Sequence, residues 1–63
     1  MTGELLDTIH HTAVFLRMAA IQMRRIAASK EPGVAQQLRH MADQCEAQAN
    51  ELTGELRGRL TPD

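Results

Sequence analysis

Apolar residues recur at alternating steps of four and three along two stretches of the chain. This spacing is typical of α-helices that pack one apolar stripe against a neighbouring helix. The first stretch carries the repeat at Leu5, Ile9, Thr12, Leu16, Ala19, Met23 and Ile26. The second stretch carries it at Leu38, Ala42, Cys45, Ala49, Leu52 and Leu56. The pattern therefore predicts two amphipathic helices with one apolar seam each.

The break between the two helices is predicted around Pro32. Proline disfavours helix at the residue before it and suits the first position of a new helix. Because such a short connection makes two helices antiparallel neighbours, the sequence predicts a single all-α domain, an antiparallel two-helix hairpin. The predicted elements are a helix over about 3–29, a turn over 30–33, a helix over about 34–58 and a tail over 59–63.

The ends and the register of the hairpin can also be predicted. Thr2 is a suitable N-cap for the first helix, whereas Gly54 and Gly58 should fray the end of the second, since glycine destabilises a helix interior. Folding at the turn brings the two seams face to face, with Leu16 opposite Cys45. In that register Leu16 is a core residue, and its truncation to alanine should cost about 2–5 kcal/mol.

The first helix carries more apolar surface than its seam accounts for. Val14, Met18 and Ile21 lie roughly 100° or more from the seam, and Phe15 widens that surface. A helix that is apolar nearly all round is typically buried, and one partner helix cannot cover it. We therefore expect these four residues, the Phe15 strip, to contact either a second copy in a homodimeric four-helix bundle or another helical protein. Close helix approach at one interface is predicted at Ala13, Ala20 and Ala27.

Length and composition favour the same assembly. A chain of 63 residues rarely gains enough stability from one core unless a disulfide, a structural metal or oligomerisation adds to it. Cys45 is the single cysteine, so no internal disulfide can form, and oligomerisation remains. The first residues lack a basic signal-peptide region, and arginines interrupt the most apolar stretch. We expect a cytoplasmic protein without a membrane span.

The chemistry-bearing residues do not form a recognisable motif. Helical metal ligands are typically three or four residues apart, whereas His10 and His11 are adjacent and His40 and Cys45 are five apart. The glutamates of the second helix follow its polar face, and no phosphate-binding glycine loop is present. The sequence predicts no enzyme, no catalytic residue and no cofactor. A metal-binding bundle with a site shared between subunits is a third, weaker interpretation.

A line of basic residues supports one alternative function. His10, Arg17 and Arg24 recur at steps of seven, with Arg25 beside them. In a dimer, two such lines could form a ridge that tracks RNA phosphates. The competing interpretation is that these arginines keep the helix soluble or pair with Asp43 and Glu46 across an interface. The formal net charge of −1 favours protein over nucleic acid as the partner.

Two family resemblances follow from short motifs. The R-x-x-A motif that starts at Arg17, and the L-x-x-M-A-x-x-x-E-x-x-A-x-x-L motif over 38–52, resemble a group of short bacterial helical-hairpin proteins of unknown function. That resemblance covers about residues 13–56 and departs at the turn; it implies a fold and no activity. Phe15-Leu16-Arg17 and Ala49-Asn50-Glu51-Leu52 are similar to stretches of the plasmid regulator Rop, which implies an RNA-binding dimer. The lysine-rich RNA-binding face of Rop is missing here.

Overall fold

The chain forms a helical hairpin in a computed structural model that describes residues 2–60, with side chains over 3–58. Helix α1 spans Thr2–Ala27 and helix α2 spans Pro32–Leu60. Arg17 bonds to Thr53 and Arg24 bonds to Glu46, so an earlier residue of α1 meets a later residue of α2. The helices are therefore antiparallel, which confirms the predicted all-α hairpin.

The helix ends differ from the prediction by a few residues. Helix α1 stops at Ala27, and the amide of Lys30 donates to its carbonyl oxygen at 3.2 Å. Pro32 is the first residue of α2, the position for which its fixed φ is suited. Helix α2 continues through Gly54 and Gly58 to Leu60, and fraying at this end stays a prediction. Leu52 precedes Gly54, Leu56 lies between Gly54 and Gly58, and both leucines are partly buried. Their packing offsets the destabilisation of the helix by the two glycines. The Thr2 side chain and residues 61–63 lie outside what the structure describes, and residues 59–60 of the predicted tail belong to α2.

The centre of the hairpin is built almost entirely from alanine. Its buried apolar residues are Ile9, Ala13, Ala20, Ala27, Ala35, Ala42 and Ala49. The alanines recur every seven residues in both helices and lie at matching distances from the turn, so each helix presents one alanine line to the other. A methyl side chain allows two helix backbones to approach closely. Among the described residues, no large side chain is fully buried.

The predicted seam of α2 is confirmed, but that of α1 is only partly right: Ile9 is buried, and Leu16, Ala19 and Met23 are half-buried. Every predicted seam residue of α2 is buried or half-buried. In α1, by contrast, Leu5 is 45% exposed, Ile26 is 46% exposed, and Thr12 is also exposed. Helix α1 is turned by roughly 70° from the predicted orientation, on the 100° step of an α-helix. This rotation of α1 places its alanine line, rather than its larger apolar residues, against α2.

The two helices form a single layer. The hairpin measures 48 × 19 × 11 Å, and its Cα radius of gyration is 14.6 Å, against about 11 Å for a compact domain of this length. Its accessible surface is 4829 Å², whereas a compact protein of this mass exposes about 4,000 Å². Each helix is therefore covered on one side only, and most large apolar side chains keep contact with solvent.

We predict that Ala42→Leu destabilises the hairpin. Ala42 is 0% exposed within the alanine line, and a larger side chain there must push the backbones apart, at a cost of about 1–3 kcal/mol. Urea unfolding followed by circular dichroism measures the change. Ala47→Leu is the matched control, because Ala47 is exposed on the same helix. Equal stability of the two variants would contradict close packing along the alanine line.

Candidate interaction surfaces

Arginine side chains bridge the two helices along one side of the alanine line. The Arg24 Nη2 group donates to Asp43 Oδ1 and to Glu46 Oε1, each at 2.8 Å. These hydrogen bonds raise the pKa of Arg24 above its ordinary value, and the bond to Asp43 has the larger effect. The guanidinium therefore stays charged. Because both carboxylates are exposed, this ion pair is screened by water and salt.

A second arginine bridge lies nearer the open end of the hairpin. Arg17 Nη2 donates to Thr53 Oγ1 at 2.7 Å and to Asn50 Oδ1 at 3.3 Å. The Thr53 hydroxyl in turn donates to the carbonyl oxygen of Ala49 at 2.9 Å. Helical side chains lean toward the N-terminus of their helix, which explains why each arginine contacts residues of α2 that lie closer to the open end. We call this bridged edge the polar side.

The polar side bears directly on the predicted basic line. Arg17 and Arg24 are directed onto partners in their own chain, whereas His10 and Arg25 are exposed. The pairing of Arg24 with Asp43 and Glu46 that the sequence suggested occurs within one chain. The imidazole ring centroids of His10 and His11 lie 5.8 Å apart. Both bridging arginines use only their Nη2 groups in these bonds, and a guanidinium carries five N–H donors in all, so the bridges occupy only part of each basic group.

The opposite side of the alanine line is apolar on both helices. Its residues fall, at 100° a step, on the side away from Arg17 and Arg24. They are half-buried or exposed rather than covered. We call this surface the two-helix face, and it comprises Leu5, Leu16, Met23, Ile26, Val34, Leu38, Met41, Cys45, Leu52 and Leu56.

An open groove runs between the helices at one end of the two-helix face. Its volume is about 550 Å³. Leu16 and Leu52 form its apolar floor, and its polar lining consists of Thr12, Gln48, Glu51 and Glu55. The groove continues the apolar surface and does not enclose a small molecule, since it is open to solvent along its length.

The two-helix face is missing from the sequence-based prediction. That prediction placed the two seams against each other, whereas in the structure the alanine lines meet and the larger residues of both seams lie side by side on one surface. A usable signal was present: alanine repeats every seven residues in both helices, at 13, 20 and 27 and again at 35, 42 and 49. Two matched alanine lines indicate where backbones approach most closely, and the larger residues beside them then flank the contact.

The Phe15 strip lies on α1, turned away from α2. Phe15 is 70% exposed and Met18 is 56% exposed, and Val14 and Ile21 are also exposed. The four residues span two turns of α1. The structure thus leaves the predicted contact residues uncovered, and within the hairpin the Phe15 strip and the two-helix face are separate surfaces.

The remaining candidate residues do not converge. Cys45 is a free, half-buried thiol on the two-helix face. Over the described residues, no group of three or more histidine, cysteine, aspartate or glutamate side chains is arranged to hold a metal ion. Within the same part of the chain, neither helix combines the length and the apolar character needed to cross a membrane.

Comparison with protein-family models, curated proteins and solved structures finds no match to this chain.

We predict that Asp43→Asn causes a small, salt-dependent loss of stability. It removes one of the two carboxylates that Arg24 contacts, and an exposed ion pair weakens as salt screens it. The urea midpoint should fall slightly at low salt, and the difference should vanish near about 1 M NaCl, where the screening length is only ~3 Å. Glu51→Gln is the control, because it removes the same charge from α2 at the groove rather than at the polar side. An Asp43→Asn effect that persists in high salt would contradict a screened, exposed contact.

Proposed function

We propose that this chain is a non-enzymatic protein-interaction module that self-associates into a homodimeric four-helix bundle and acts as a small scaffold. The observation that carries this proposal is the make-up of the core, which consists of Ile9 and six alanines over the described residues. Such a core is too small to support a hairpin on its own.

The energetics of burial support the proposal. Full burial of a leucine, isoleucine, methionine or phenylalanine side chain stabilises a fold by about 1.5–3 kcal/mol, and alanine contributes much less. Leu5, Ile26 and Met41 expose nearly half of their surface in the single hairpin, so nearly half of this stabilisation is not yet realised. A second helical layer would supply it, in keeping with the two-layer construction of most domains.

The area of exposed surface supports the same conclusion. The chain exposes about 800 Å² more than the value of about 4,000 Å² expected for a compact protein of its mass. Each partner in a standard protein–protein interface buries about 800 Å². One interface of ordinary size would therefore bring the hairpin to the surface area typical of a folded protein.

The Phe15 strip extends the proposal to a further partner. A scaffold needs a surface that remains available after assembly, and this strip is separate from the two-helix face. Phe15, the single aromatic residue of the chain, is its most exposed large apolar side chain among the described residues. We propose that the strip contacts a second helical chain, either another copy or a different protein.

The oligomeric state tests this function directly. Sedimentation equilibrium of the full chain should give twice the 7.0 kDa mass of the monomer. The thermal midpoint should rise with protein concentration, because association stabilises only the folded state. A chain that stays folded and monomeric, with a midpoint independent of concentration, would overturn the proposal.

A further inference from the structure

We propose that the two-helix face is the dimer interface and that the same face of a second copy of this chain covers it. This inference rests on the proposed self-association and specifies the surface responsible. A two-fold dimer is the commonest closed assembly of identical chains, and its interface uses the same patch on both subunits. The occupant is therefore a second hairpin laid face to face on the first.

The extent of the surface distinguishes it from the Phe15 strip. The two-helix face runs from Leu5 to Ile26 along α1, about 32 Å at the α-helical rise, and from Val34 to Leu56 along α2. The Phe15 strip runs from Val14 to Ile21, only about 11 Å. The face therefore offers two helices and several apolar layers to a partner and is about three times as long as the strip, which favours it for the roughly 800 Å² that each subunit of a standard dimer buries.

The distribution of polar groups agrees with this choice. On the polar side, Arg17 and Arg24 already have hydrogen-bond partners, and covering them would desolvate charged groups. On the two-helix face, the polar residues of the groove are all exposed, whereas its leucines, Leu16 and Leu52, are half-buried. Protein interfaces likewise combine an apolar core with a solvent-accessible polar rim.

The middle of the face places Cys45 inside the proposed dimer. Leu16 lies near the middle of α1 and Cys45 near the middle of α2. In a face-to-face dimer the two-fold axis lies in the plane of the interface. When it passes through the middle of the face, it brings the mid-length residues Leu16 and Cys45 of one copy against the mid-length residues of the other. Cys45 then faces its counterpart when the turns lie at opposite ends, or Leu16 of the second copy when they lie at the same end. In both arrangements its half-exposed thiol becomes covered.

The decisive experiment compares two methionines. Met41 lies on the two-helix face and is 45% exposed, whereas Met18 lies on the Phe15 strip and is 56% exposed. Both are helix-interior residues, so Met41→Lys and Met18→Lys make the same chemical change at similarly exposed positions. Sedimentation equilibrium should show the dimer dissociation constant rising by about 100-fold or more for Met41→Lys, since it buries an unpaired charge in the interface. Met18→Lys should leave the constant within about threefold of the parent value.

Circular dichroism separates the possible results. A folded monomer or an unfolded chain for Met41→Lys supports the inference, provided that Met18→Lys remains a helical dimer. Dissociation by Met18→Lys with an intact Met41→Lys dimer would assign the interface to the Phe15 strip and overturn the inference, while self-association itself would stand. A monomeric parent chain would instead refute the proposed function.

The parent chain provides a second measurement that needs no substitution. The rate at which a soluble disulfide reagent modifies Cys45 should fall at least about tenfold as protein concentration rises through the dissociation constant, because dimerisation covers the thiol. Sedimentation at the same concentrations shows how much dimer is present. A dimer that forms without slowing this reaction would contradict the proposed interface.

Discussion

The close packing of two alanine lines is the constraint on which the rest of this structure depends. Alanine lets the helix backbones approach, but it brings little apolar surface out of water. The larger side chains, such as Leu16 and Leu38, cannot enter the narrow contact and lie beside it. The two helices therefore pack tightly but share only a small core, and the apolar surface needed for stability remains on the outside of the hairpin.

The two edges of the contact handle solvent in different ways. On the polar side, Arg17 and Arg24 reach across to α2 and donate hydrogen bonds to its side chains. On the other side, no described charged residue bridges the helices at mid-length, where Leu16 and Cys45 lie. One edge of the hairpin is therefore bridged by its own side chains, and the other is the edge at which we propose association.

The fold could be predicted from the sequence because it depends on features that local rules detect. Helix formers, one proline and two heptad repeats specify two antiparallel helices, and the seam of α2 was found because its alanines and leucines fall on one side. The orientation of α1 could not be found in the same way. A ranking by hydrophobicity predicts that Leu5 and Ile26 contact α2. The residues that actually contact α2 are those that let the two backbones approach closely, such as Ala13 and Ala20. Helix rotation is a property of the pair, and neither helix specifies it alone.

This rotation changes the functional interpretation as well as the packing. With the seams face to face, the surplus apolar surface would be confined to the back of α1, and a partner would contact one helix. With the larger seam residues side by side, both helices contribute to a single surface, and in the proposed dimer the second copy would become part of the core. Folding and association would then be coupled, because the leucines and methionines on that surface would stabilise the hairpin and contact the partner together. On this proposal the chain is ordered most strongly where its own concentration is high, because association stabilises the folded state.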